Sequence, residues 1–87
     1  MLNFLPQAVE DLKWFRKNDR KRYLRAFDLA LVIMKNPREG IGKPERLKYF
    51  KDEVWSRRLS QKDRIVYTIW EKIKTIDIVA CKEHYNI

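Results

Sequence analysis

Cysteine and histidine each occur once in the chain, as Cys81 and His84. A single thiol excludes an internal disulfide, and one thiol with one imidazole cannot supply the four N/S ligands of an ordinary zinc site. Packing alone must hold such a fold together. Glycine occurs twice and proline three times. Pro37, Gly40, Gly42 and Pro44 all fall in NPREGIGKPERL, which reads as the main linker. The longest purely apolar run, Leu29 to Met34, is far short of the roughly 20 residues that cross a bilayer. The opening MLNFLPQAVEDL lacks the basic-then-apolar pattern of an export signal, so a soluble cytoplasmic protein is expected.

What is present points to one compact domain spanning residues 1–87. Hydrophobic residues make up 45% of the chain and aromatics 13%, enough to argue against disorder although 37% of residues are charged. Twenty Lys and Arg stand against twelve Asp and Glu, a net charge of +8. The excess is spread evenly: residues 1–40 hold nine basic and five acidic groups, residues 41–87 eleven and seven. A basic folded surface, rather than a basic tail, favours nucleic acid or an acidic protein as partner.

Pro6 suits the first turn of a helix, where its missing N–H costs nothing. Ala8, Leu12 and Phe15 then recur at helical spacing, with Glu10, Asp11, Lys13 and Lys17 off that stripe, to about Lys17. Asp19 is placed to cap a second helix whose apolar face would combine Tyr23, Phe27, Ala30 and Met34 with Leu24 and Leu31. Pro37 ends it. Beyond the linker, strands are expected near Arg46–Tyr49, Val54–Leu59, Arg64–Trp70 and Thr75–Cys81, with Leu2 to Leu5 as a further strand. TIDIVAC sets Ile76, Ile78 and Ala80 against Thr75, Asp77 and Cys81. The short links SQKD and EKIK favour hairpins. The fold class is α+β: two N-terminal helices on a curved, mainly antiparallel sheet of four to five strands.

A lone histidine near a strand end is most often a surface residue. On a basic domain, beside arginines, it also suits phosphodiester chemistry, which needs a proton donor for a leaving oxygen and fixed positive charge for the transition state. RNA carries its own nucleophile, the 2′-hydroxyl, so base, acid and cationic clamps suffice. With one histidine the base would be a carboxylate or a group acting electrostatically, and no D-x-D cluster suggests a metal pair. Glu45 stands out in GKPERLK, behind Pro44 and between Lys43 and Arg46, although on position alone a solvated surface glutamate is the favoured reading there. Arg57 and Arg58 of WSRRL face opposite ways on a strand, so only one can join Arg64 of DRIVY. A three-residue loop selects Arg58 and a two-residue loop Arg57. Trp14, Trp55, Trp70 and Tyr67 read as core or interface aromatics, with Trp55 the one expected beside a site.

GKPERLK, WSRRL, DRIVY and ACKEHY, in that order and spacing, resemble the YoeB/Txe family of toxin–antitoxin toxins within the RelE/ParE superfamily. The resemblance implies a microbial-ribonuclease-like α+β fold and an endoribonuclease acting without cofactor on mRNA in the ribosomal A site, restrained by a YefM-like antitoxin. It implies Glu45 as general base, His84 as general acid and Arg64 as the main phosphate and transition-state contact. Lys48 and Arg58 would assist electrostatically, and Tyr85 would orient RNA or the histidine. A toxin homodimer is also implied. Because the superfamily fold hosts other activities, a ParE-like inhibitor of DNA gyrase is the competing function.

Overall fold

The computed structural model describes residues 1–82. The chain runs β1 (Leu2–Phe4), α1 (Pro6–Asn18), α2 (Arg20–Lys35), β2 (Glu45–Arg46), β3 (Val54–Arg58), β4 (Arg64–Trp70), a 3-10 turn at Glu71–Ile73 and β5 (Thr75–Ala80). The strands form one open mixed sheet in the order β1-β5-β4-β3-β2, with two helices packed on it. From β2 to β5 neighbours are antiparallel, and β1 joins β5 in parallel, Leu2 opposite Ile76 and Phe4 opposite Ile78. No helix among the described residues is long and apolar enough to cross a membrane.

Local signals set the helix ends. Pro6 occupies the first turn of α1, and Asp19 alone separates the helices. The backbone N–H of Asp19 closes α1 on Phe15 O at 2.7 Å, while its carboxylate accepts the Arg22 N–H at 3.1 Å and caps α2. Asn36 closes α2 immediately before Pro37.

Ala8, Leu12 and Phe15 of α1 are buried as their spacing predicts. They share the core with Leu29, Ile33, Ile65, Tyr67, Ile69, Ile76 and Ile78. Each such large side chain contributes about 1.5–3 kcal/mol by leaving water. Asp11, expected off the α1 stripe, is buried within it at 3% exposure.

The face of α2 also differs from expectation. Ala26, Leu29, Ala30 and Ile33 are buried, whereas Leu24, Phe27, Leu31 and Met34 are exposed. RKRYLRAFDLALVIMK carries two apolar stripes that fit a helical period equally well. The stripe with alanines lets the helix lie close to its neighbours, and that packing decides. Strand β2 is two residues long, and Lys48 and Tyr49 form a turn rather than a strand continuation. Leu47 N still donates to Val54 O at 2.8 Å, which prolongs the ladder by one bond. Cys81, expected opposite Ile78, is fully buried in the core because the strand ends at Ala80 and the chain turns inward.

Candidate active site

The linker is shaped by a buried arginine. Arg57 on β3 is fully buried, and its guanidinium donates to the carbonyls of Asn36, Glu39 (2.9 Å) and Ile41 (3.3 Å) and to the Tyr67 hydroxyl (3.1 Å). Tyr67 donates in turn to Pro37 O at 2.6 Å. Burial holds the Tyr67 phenol above its ordinary pKa, so it stays a donor. One guanidinium thus gathers the carbonyls of a bend that makes few backbone bonds of its own.

The next residues seat that bend on the sheet. Gly42 O accepts the Arg58 N–H at 2.7 Å, and Gly42 has φ +87. A Cβ there would lie 3.1 Å from Arg58 O and 3.2 Å from Arg57 Cβ, so glycine is needed for both space and conformation. Lys43 follows with φ 49, and Pro44 leads into β2, where Glu45 lies opposite Ser56.

The β3–β4 register decides between the arginines. Arg58 is the direct partner of Arg64, and Arg57 is the partner of Ile65 on the helix side. The connecting turn is fixed by Asp63, which is 2% exposed: its carbonyl accepts from Leu59 N and Ser60 N at 3.0 and 3.2 Å, and its carboxylate accepts from Ser60 Oγ at 3.1 Å. Arg22 of α2 approaches the same carboxylate at 3.5 Å. A Ser and an Asp three apart in SQKD were the available signal for this turn.

Directly opposed residues share a face, and side chains alternate along a strand. Glu45, Ser56, Arg58 and Arg64 therefore stand on one face, the side away from the helices. Glu45 is level with Ser56 and Val66, two residues along from Arg64, so two strand widths and that offset put the backbones of Glu45 and Arg64 roughly 12 Å apart, with the side chains between them. Glu45, Arg58 and Arg64 are exposed. Among the described residues no ion pair engages any of the three. Lys48 is exposed in the turn after β2. Trp55, expected beside the site, is instead packed against the core on the helix side, its indole donating to Glu53 at 2.8 Å. Tyr67 is core as expected, whereas Trp14 and Trp70 are exposed.

A groove of about 590 Å³ continues from Arg58 round the β3–β4 end of the sheet, lined by Lys21, Arg22 and Arg25 of α2 together with Gly42 and Ser60. His84 and Tyr85 lie outside the described residues. The strand that leads to them does not: Ala80 is level with Val66, so β5 ends two residues short of the level of Arg64.

The family model of the YoeB-like toxins matches residues 4–85. The toxin YoeB of Synechocystis sp. is 41% identical over 83 residues, covering 95% of this chain and 94% of its own. Among solved structures, the YoeB dimer from Staphylococcus aureus superposes with a TM-score of 0.83 at 42% identity, covering 97% of this chain and 95% of its own. The heterotetrameric YoeB–YefM complex from the same organism gives a TM-score of 0.83 at 42% identity, over 98% of this chain and 97% of its own. By sequence and by fold, the chain belongs to the YoeB-like toxins of bacterial type II toxin–antitoxin systems.

Proposed function

We propose that this toxin is an endoribonuclease that cuts mRNA in the ribosomal A site and so stops translation in the cytoplasm. The observation that supports this most is the Arg58–Arg64 pair, two cations opposed on the face that carries Glu45 with no acid paired to either among the described residues. Like charges set opposite one another weaken a hairpin. A phosphate between them turns that repulsion into binding.

In the proposed reaction the Glu45 carboxylate takes the proton of the 2′-hydroxyl, and O2′ attacks the adjacent phosphorus. Arg64, with Arg58 and Lys48, stabilises the charge that builds on the phosphoryl oxygens. The P–O5′ bond breaks as the His84 imidazolium gives its proton to O5′. The products are a 2′,3′-cyclic phosphate and a 5′-hydroxyl. Tyr85 orients the RNA or the imidazole. Side chains supply every proton and charge in this scheme. The geometry that supports the acid is the course of β5: His84 is two residues past Lys82, a stretch of chain that spans at most about 7 Å.

A YefM-like antitoxin would restrain the toxin by laying an acidic segment over this cationic face and its groove. Pairing of two toxin copies fits the relative solved as a dimer.

Mapping 5′ ends on messages with and without ribosomes tests the reading. Wild-type protein should cut ribosome-bound message, and Glu45→Ala and His84→Ala should each be slower by about 100-fold or more. Intact message in every lane, with loss of DNA supercoiling by gyrase, would replace the reading by ParE-like inhibition.

A further inference from the structure

Asp11 does something its place in the sequence does not announce. It sits on the buried stripe of α1 at 3% exposure, and its Oδ2 accepts two backbone N–H groups from the far end of the chain, Cys81 at 2.8 Å and Lys82 at 3.1 Å. Gln7 Nε2 donates to its Oδ1 at 3.0 Å. One turn along the helix, the Trp14 ring lies under the Lys82 ammonium, 3.8 Å from its centroid.

These contacts begin where the sheet stops. Ala80 is the last residue of β5, so the N–H groups of Cys81 and Lys82 lie beyond the strand, and the carboxylate receives both. Ala8, Leu12 and Phe15 share the stripe and hold α1 on the sheet by apolar burial. A leucine at position 11 would serve that purpose without the cost of desolvating a carboxylate. The charge is justified by what it grips: two consecutive peptide units, two residues before His84.

We propose that Asp11, supported by Trp14, is a positioning residue for the general acid: it fixes the backbone at Cys81 and Lys82, the last anchored residues before His84 in the sequence. The proposal rests on the reading of His84 as that acid.

The test compares two ribosome-bound messages, one with the ordinary linkage at the cut and one with sulfur replacing the bridging O5′. A thiolate leaves without a proton, so a defect confined to acid delivery disappears on the sulfur linkage. Asp11→Ala should slow the oxygen linkage about tenfold, the scale of a lost hydrogen-bonded anchor, and cut the sulfur linkage within about twofold of wild type. Asp11→Asn keeps a weaker acceptor and should fall between, at about threefold. It carries the comparison alone if the alanine variant does not fold.

Equal loss on both linkages, or no loss on the oxygen linkage, overturns the proposal. His84→Ala is run beside them. If sulfur rescues His84→Ala but not the Asp11 variants, Asp11 is not a positioning residue and the acid reading stands. If sulfur fails to rescue His84→Ala, that reading falls and the role of Asp11 falls with it.

Discussion

Arg58 and Arg64 stand directly opposite each other across β3 and β4, both exposed. Opposed like charges cost a hairpin about 0.2–1 kcal/mol. Arg64→Gln should therefore leave the fold as stable as before or more stable by about 0.5 kcal/mol. It should also lower single-turnover cleavage by about 100-fold or more. Urea denaturation and a cleavage time course read the two effects separately. A destabilised variant with an unchanged rate would make the pair structural.

Arg57 has the opposite role. It is buried and holds the carbonyls of Asn36, Glu39 and Ile41 with the Tyr67 hydroxyl. Arg57→Leu strips donors from these groups at once and should destabilise the fold by about 3 kcal/mol. Arg57→Lys should recover little of that, since one ammonium cannot reproduce the fork of a guanidinium. A shift in urea midpoint worth less than about 1 kcal/mol would mean the linker is held without it.

Acid should expose the contribution of Glu53. Hydrogen bonds from Arg38, at 2.7 and 2.9 Å, hold its carboxyl below the ordinary range, against partial burial and with help from the Trp55 indole. The folded value is the lower one. The stabilisation is therefore complete above the unfolded pKa of about 4.3 and is lost as pH falls through the folded value. The urea midpoint of wild type should exceed that of Glu53→Gln by a constant margin above about pH 5.5, and the margin should shrink steadily as pH falls below about 4.3. A margin that widens on acidification would contradict this account.

Cys81 should be chemically silent in the native protein. Burial, reinforced by the charge of Asp11, pushes its thiol pKa up to about 12. Near pH 8 iodoacetamide should modify it only after unfolding. Fast modification of the folded protein would show that residues 81–82 detach readily from Asp11.

Much of this fold was legible in short-range signals. Pro6, Asp19 and Pro37 act within one turn of a helix, so their effects do not depend on the rest of the chain. Other features depend on contacts far apart in sequence. The choice of Arg58 over Arg57 follows from the Asp63 turn, which sets the strand register. Which stripe of α2 is buried depends on how closely Ala26 and Ala30 let the helix approach its neighbours. Asp11 falls off the apolar stripe by residue type alone, and the partners that bury it, Cys81 and Lys82, lie 70 and 71 residues away. Of the site, Glu45, Arg58 and Arg64 stand in legible motifs, but their shared face follows from register alone. The separate task of Arg57 had no local signature, because its acceptors are carbonyls of the linker.

The central claim is that Glu45, the opposed arginines and the residues beyond β5 cut RNA through its own 2′-hydroxyl. A ribosome-bound message with a single 2′-deoxynucleotide on the 5′ side of the cut tests it most directly. The account predicts that this bond is no longer cleaved, while the all-ribose message is cut to a 5′-hydroxyl end. Cleavage of the deoxy-substituted bond at the parental rate would contradict it.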